Sequence, residues 1–176
     1  LLNVNSELKG KEYIMTFIAS DRSGHYQTLE PVTREQIIRF AHSLLTRQFR
    51  NRRKITSSED VRQWLVMKLA LENRESFGVI MLSQQHHILG YQTLFTGTLS
   101  QTMVYPREIV SLALTHNAAA VILVHNHPSG EPEPSQADKL ITQKITDALV
   151  LLDIRVTDHL IVGGDKAWSF AEHGLL

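Results

Sequence analysis

One short segment combines residue types and spacing that could do chemistry: His125-Asn126-His127, seven residues, then Ser135-Gln136-Ala137-Asp138. Alternate side chains of an extended chain share a face. His125 and His127 therefore point the same way, with Asn126 opposite. Two neutral imidazoles side by side suit zinc, which takes nitrogen ligands readily. The stretch from His125 to Pro134 holds three of the chain's five prolines and cannot continue as a helix or a central strand. It turns the chain back, and a helix opening at Ser135 then brings its first turn toward the histidines. Asp138 sits in that turn. Helical side chains lean toward the helix N-terminus, which aims its carboxylate at the loop. Two nitrogens, one oxygen and a fourth position left to water make the donor set of a catalytic zinc, whereas structural zinc has four protein ligands.

Each piece also has a plainer reading. Ser-x-x-Asp at a helix start is commonly a capping pair, and for Ser135 and Asp138 taken alone that reading is the stronger one. Either histidine could be satisfied by backbone groups. The conjunction favours a metal: both histidines end a buried strand, a turn-forming loop follows, and the acid lies on the first helical turn beyond.

The elements that must position these residues can be read along the chain. Tyr13–Ala19 and His25–Glu30, around Asp21-Arg22-Ser23-Gly24, predict a hairpin. Thr33 caps a helix to about Phe49 with Ile37, Ile38, Ala41, Leu44 and Leu45 on one face. Ser57 or Ser58 opens a second helix carrying Val61, Trp64, Leu65 and Leu69, and Ser57 with Asp60 resembles a capping box. Phe77–Leu82 and Ile88–Phe95 read as strands around the turn Gln84-Gln85-His86, followed by a polar loop Thr96–Thr102. Pro106 suits the first turn of a helix to His116. Ala118–Val124 is an aliphatic run that fits a strand buried on both faces. A helix from Ser135 to about Leu152, a strand Arg155–Val162, a turn Gly163-Gly164-Asp165 and a short strand Ala167–Phe170 complete the order. Helices and strands alternate from Ser57 onward, so we expect an α/β main domain over 57–176 and an N-terminal extension over 1–56, a hairpin plus a basic helix.

Composition narrows the function classes. With 43% hydrophobic and 20% charged residues the chain reads as an ordinary globular protein. It has no cysteine, which excludes disulfides, thiolate metal sites and cysteine nucleophiles. Lys plus Arg and Asp plus Glu number 18 each, so no global field draws it to nucleic acid or an anionic membrane. The longest aliphatic run, Ala118–Val124, is too short to span a bilayer. Lys9 and Lys11 before Tyr13–Ala19 make a poor signal peptide, because Thr16 breaks the apolar stretch and Glu7 and Glu12 flank it; the expected location is cytoplasmic. The basic run Arg47, Arg50, Arg52, Arg53, Lys54 could touch phosphates, though a solvated helix end is the simpler reading. His86 and His87 read as exposed turn residues, Asp158 and His159 as a polar contact at a strand end, and Trp168 and Phe170 as core.

The segment His125-x-His127-x(7)-Ser135-x-x-Asp138 resembles the metal motif of the JAB/MPN (JAMM) metalloproteases. Val104-Tyr105-Pro106-Arg107-Glu108, His125-Asn126-His127-Pro128-Ser129-Gly130 and Asp158-His159-Leu160-Ile161-Val162-Gly163-Gly164 resemble the RadC-like branch, bacterial proteins long labelled DNA repair factors. The resemblance covers about 57–176 and does not extend over 1–56. It implies a mixed β-sheet flanked by helices on both sides, a three-layer α-β-α domain. It implies Zn2+ held by His125, His127 and Asp138. It also implies that Glu75, in Arg74-Glu75-Ser76-Phe77, is the general base that moves the proton of the attacking water to the leaving amine, because zinc acidifies its water but does not shuttle the proton. Without the resemblance Glu75 reads as a solvated strand-edge carboxylate, with Glu72 and Glu108 as competitors. Ser135 would donate to the oxyanion, while Ser129 and Gly130 shape the turn. The implied activity is hydrolysis of peptide or isopeptide bonds in a protein or peptide substrate. The alternative is a DNA-associated repair or recombination accessory. The letters His-Asn-His also suggest a nuclease, but HNH nucleases spread those residues over a longer unit.

Overall fold

A computed structural model describes residues 17–20, 24–52, 58–69, 72–97 and 104–176. The chain divides into two compact units, Leu1–Gln48 and Phe49–Leu176. In the first, β1 (Phe17–Ala19) and β2 (Tyr26–Thr28) pair antiparallel, and Phe17 stacks on Phe40 of helix α1 (Arg34–Arg52) with ring centroids 4.0 Å apart. Thr33 closes the start of α1 reciprocally. Its hydroxyl accepts from the Gln36 N–H, and its own N–H donates to the Gln36 side chain. Of the expected basic patch, Arg47 is exposed, and Arg53 and Lys54 lie outside the described residues. Tyr13–Thr16 of the expected hairpin, Ser57 with its capping box, and the 98–102 part of the expected loop also lie outside them.

Among the described residues, the second unit is built on five strands in the order β4-β3-β5-β6-β7. They are β3 (Glu75–Leu82), β4 (Ile88–Gly97), β5 (Ala120–His127), β6 (Arg155–Gly163) and β7 (Lys166–Ser169). β5 is central, antiparallel to β3 and parallel to β6; the other pairings are antiparallel, so the sheet is mixed. A parallel neighbour requires a crossover, and α4 (Gln136–Val150) supplies it between β5 and β6.

The alternation of strand side chains sorts the core into two layers. Phe77, Val79, Met81, Val121 and Leu123 face one side and pack on Ile109 and Ala113 of α3 (Pro106–Thr115) and on Ile145 and Leu149 of α4. Ile80, Leu82, Ile122, Val124, Leu160 and Val162 face the other and pack on Val61, Leu65 and Leu69 of α2 (Ser58–Leu69). Helices therefore cover both faces, and the domain is the three-layer α/β sandwich that the family resemblance implies. Because β5 is buried on both faces it reads as an unbroken aliphatic run.

Several boundaries move for tertiary reasons. β3 begins at Glu75 rather than Phe77, because Ser76 pairs with Asn126 of β5 and Glu75 with Gly97 of β4. The same pairing carries β4 through Thr96 and Gly97, which read as loop from sequence. Ala118 belongs to the turn after α3, its N–H bonded to the Ala113 carbonyl. α4 stops at Val150, and Asp153 then takes a left-handed φ of 56° that lets the Ile154 N–H return to the Leu149 carbonyl. Trp168 is half-buried, its ring stacked 4.1 Å from His173, whereas Phe170 is core.

Candidate metal centre

His125 and His127 occupy the last turn of pleat in β5. Their side chains follow Val121 and Leu123 onto the face that α3 and α4 cover, and their rings lie 4.7 Å apart at 88°. Asn126 points to the other side, where it does structural work. Its Oδ1 accepts from the Ser76 N–H at 2.7 Å and the Ser76 hydroxyl at 2.6 Å, and its amide donates to the Arg74 carbonyl at 3.1 Å. These bonds lock the start of β3 to the end of β5.

The proline-rich loop returns the chain as expected. Gly130 N–H bonds to the His127 carbonyl, and Gly130 takes a φ of 90°, a conformation that favours glycine. α4 then starts with Ser135 as its cap. The capping reading and the convergence of ligands hold together. The Ser135 hydroxyl accepts from the Asp138 N–H at 3.2 Å, and Asp138 Oδ2 accepts from the Ser135 N–H at 2.7 Å and from its hydroxyl at 2.5 Å. The cap fixes the carboxylate so that Oδ1 lies 3.0 Å from His125 Nδ1 and Oδ2 lies 3.5 Å from His127 Nε2.

One donor atom from each of His125, His127 and Asp138 lies within 4.8 Å of the other two. In a tetrahedral zinc site with bonds of about 2.0–2.1 Å, donors stand about 3.3 Å apart, close to the two short separations here. His125 is the clearest sign. Its ring is 2% exposed, and neither nitrogen has a hydrogen-bond partner among the described residues, although Nδ1 is near Oδ1. A buried imidazole aimed at a carboxylate without hydrogen-bond geometry fits two ligands of one cation better than a pair bonded to each other. Burial pushes the Asp138 carboxyl upward, but the two imidazoles and Ser135 outweigh it and hold it well below the usual carboxylate range. The bond to Asp138 raises the His127 pKa against the opposing effect of burial, with help from the Glu131 carbonyl and the charges of Asp138 and Glu75. A cation at the focus would do for the carboxylate what imidazole protons do otherwise.

Glu75 is half-buried at the start of β3. Phe77 faces His125 and Ser76 faces Asn126 across the β3–β5 pairing, which puts Glu75 on the face of Phe77 and His125, and its charge acts on His127. The competing carboxylates lie elsewhere. Glu108 is exposed and paired with Arg107, and Glu72 acts on Lys68 and Tyr91, which belong with α2 and the opposite layer. Ser135 is at the site, with its hydroxyl directed to Asp138.

A second row of residues behind these three side chains carries weaker sequence signals. Asp158 and His159 do not pair through their side chains. Asp158 accepts from the His159 backbone, the Ser169 hydroxyl and the Ala171 N–H. The His159 ring, fully buried, turns to the ligand side, stacks on Phe170 and bonds through Nδ1 to the Thr142 hydroxyl at 2.7 Å. Thr142 donates in turn to the Asp138 carbonyl at 2.5 Å, which makes Nδ1 the protonated nitrogen of His159. Burial, reinforced by His125 and His127, lowers the His159 pKa to about 3. The spacing of Thr142 four residues after Asp138 was the available clue; nothing in the sequence ties His159 to it.

The fold is an α/β sandwich that carries, at the end of its central strand, a His/His/Asp group able to hold a metal ion. Residues 55–175 match the family described as the RadC-like JAB domain. The chain is 52% identical over 147 residues to the UPF0758 protein YfjY of Escherichia coli (strain K12), covering 83% of this chain and 92% of that protein. It is 56% identical over 121 residues to the UPF0758 protein YeeS of the same strain, covering 69% of this chain and 82% of that one. A UPF0758 protein of Dechloromonas aromatica (strain RCB) is 51% identical over 133 residues, 75% of this chain and 59% of its own length. The chain belongs to the RadC-like JAB family, and these relatives' names state no activity.

Proposed function

We propose that this protein is a zinc-dependent hydrolase of peptide or isopeptide bonds that acts on a protein or peptide substrate. The observation that carries the reading is the convergence of His125, His127 and Asp138 on one point, with both nitrogens of the buried His125 lacking hydrogen-bond partners among the described residues. His125, His127 and Asp138 would hold Zn2+. When bound, the ion supplies a Lewis acid and a water whose pKa falls to about 7. Glu75 takes the proton of the attacking water and returns it to the leaving amine, a role supported by its charge acting on His127 from the start of β3. Ser135 turns its hydroxyl from Asp138 to the developing oxyanion, while its backbone N–H keeps Asp138 in place. The site belongs to a chain in which no described helix is long and apolar enough to cross a membrane, and the reading includes a cytoplasmic setting.

The test is elemental analysis and turnover on the full chain. Wild type should carry about one zinc per chain. A His125→Ala, His127→Ala double variant should lose it, and Glu75→Gln should keep metal while cleavage of linear and isopeptide-linked peptides, followed by mass spectrometry, disappears. A double variant that still holds a full complement of zinc refutes the metal assignment. Cleavage unchanged in Glu75→Gln refutes the general base. Salt-dependent DNA binding abolished by neutralising Arg47, Arg50, Arg52, Arg53 and Lys54 would favour the DNA-associated alternative instead.

A further inference from the structure

We propose that Gly163, the last residue of β6, is a positioning residue for the metal centre, because its missing side chain is the seat on which the β5–α4 loop rests. The inference rests on the metal reading above and concerns what holds His127 in its ligating form.

Gly163 is buried and lies across from His127 in the β5–β6 pairing. A Cβ there would stand 2.6 Å from the Pro132 nitrogen, 2.7 Å from the Glu131 carbonyl carbon and 2.7 Å from the Gly130 oxygen. All three are backbone atoms, which cannot turn aside as a flexible side chain can. Backbone conformation does not explain the glycine, since Gly163 is not among the residues of positive φ. Its neighbour Gly164 is the opposite case. Its φ of 60° suits a tight turn, and a Cβ there would meet only the Gly130 oxygen at 3.9 Å. Gly164 serves the turn, and Gly163 serves the loop.

The loop in turn fixes His127. The Glu131 carbonyl accepts from His127 Nδ1 at 2.7 Å. A carbonyl can only accept, so Nδ1 is the nitrogen committed to a proton, and Nε2, the one nearer Asp138, is the nitrogen that would face a cation. Pro128, Pro132 and Pro134 stiffen the segment. A displacement forced at 130–132 is therefore passed to the Glu131 carbonyl on one side and to the Ser135 cap on the other. Restoring ordinary contact around a Cβ needs a shift of about 0.8 Å, enough to spoil a hydrogen bond of that length.

The experiment compares zinc affinity, by competition with a chromogenic chelator, in the full-length wild type, Gly163→Ala and Gly164→Ala, alongside thermal unfolding of the metal-free proteins. Gly163→Ala should bind zinc 10–100-fold more weakly, the range typical when a group supporting a ligand is lost. Gly164→Ala should lower the metal-free unfolding midpoint yet keep zinc affinity within about twofold. Pro132→Gly, which loosens the same loop and leaves β6 intact, should also weaken zinc, and it keeps the test standing if Gly163→Ala does not fold. Nitrogen NMR of the His127 ring gives a readout independent of the metal: the Nδ1 proton should be held in its bond to the Glu131 carbonyl in wild type and exchange with solvent in Gly163→Ala. Wild-type zinc affinity in Gly163→Ala or Pro132→Gly, or an equal loss in Gly164→Ala, overturns the proposal while leaving the metal site standing. Failure of the wild type to bind zinc overturns the metal reading itself.

Discussion

Replacing Asn126 by alanine should unlock Glu75 from His125 and His127. The Asn126 side chain is 3% exposed and bridges two strands 50 residues apart in sequence, accepting twice from Ser76 and donating once to the Arg74 carbonyl. Arg74 is exposed, so water can replace the amide there at little cost. The Ser76 N–H and hydroxyl are buried and cannot be rescued in that way. A buried donor left unpaired costs about 1–3 kcal/mol. The hydroxyl can rotate and recover part of its share, so the loss sums to about 3 kcal/mol, over a hundredfold in the folding equilibrium. For a unit of this size that corresponds to a midpoint about 10 °C lower. The assay is thermal and denaturant unfolding of metal-free wild type and Asn126→Ala, with zinc content and peptide cleavage measured at a temperature where both are folded. Zinc should be retained, because His125 and His127 leave β5 on the other face, while turnover falls as Glu75 loses its register. A stability loss under 1 kcal/mol, or unchanged turnover, refutes the reasoning.

Two further outcomes follow from the same structure. His159 is neutral in the fold, with a pKa near 3 against about 6.5 in the unfolded chain; between those values the unfolded state binds more protons, so stability is present above pH 6.5 and is lost as pH falls toward 3. In metal-free protein this should appear as a slope of about 1.4 kcal/mol per pH unit across that window, which His159→Leu should remove; equal slopes in the two proteins would contradict it. Zinc at 100 times its dissociation constant should stabilise the fold by about 2.7 kcal/mol, reversed by a chelator, and a melting point indifferent to zinc and chelator would argue against a native-state site.

The sequence alone determined the order of elements, the aliphatic centre of the sheet and the three residues of the candidate site, because these are local or periodic signals. An aliphatic run rich in β-branched residues between turn signals fits a strand buried on both faces, and His-x-His followed by a proline-rich turn and an acid at a helix start brings like donors together by short-range geometry. The sequence also carried two readings of Ser135 and Asp138, as a cap and as a site, and could not choose between them. Tertiary structure did not choose either; it made the cap the means by which the carboxylate is aimed. What only the fold decided are the relations between distant segments. The charge of Glu75 acts on His127 from the start of a strand pinned by Asn126, His159 backs Asp138 through Thr142, and Gly163 at the end of β6 lies against the backbone of residues 130–132. Such pairings are set by the packing of strands against one another, and no spacing within a single segment encodes them.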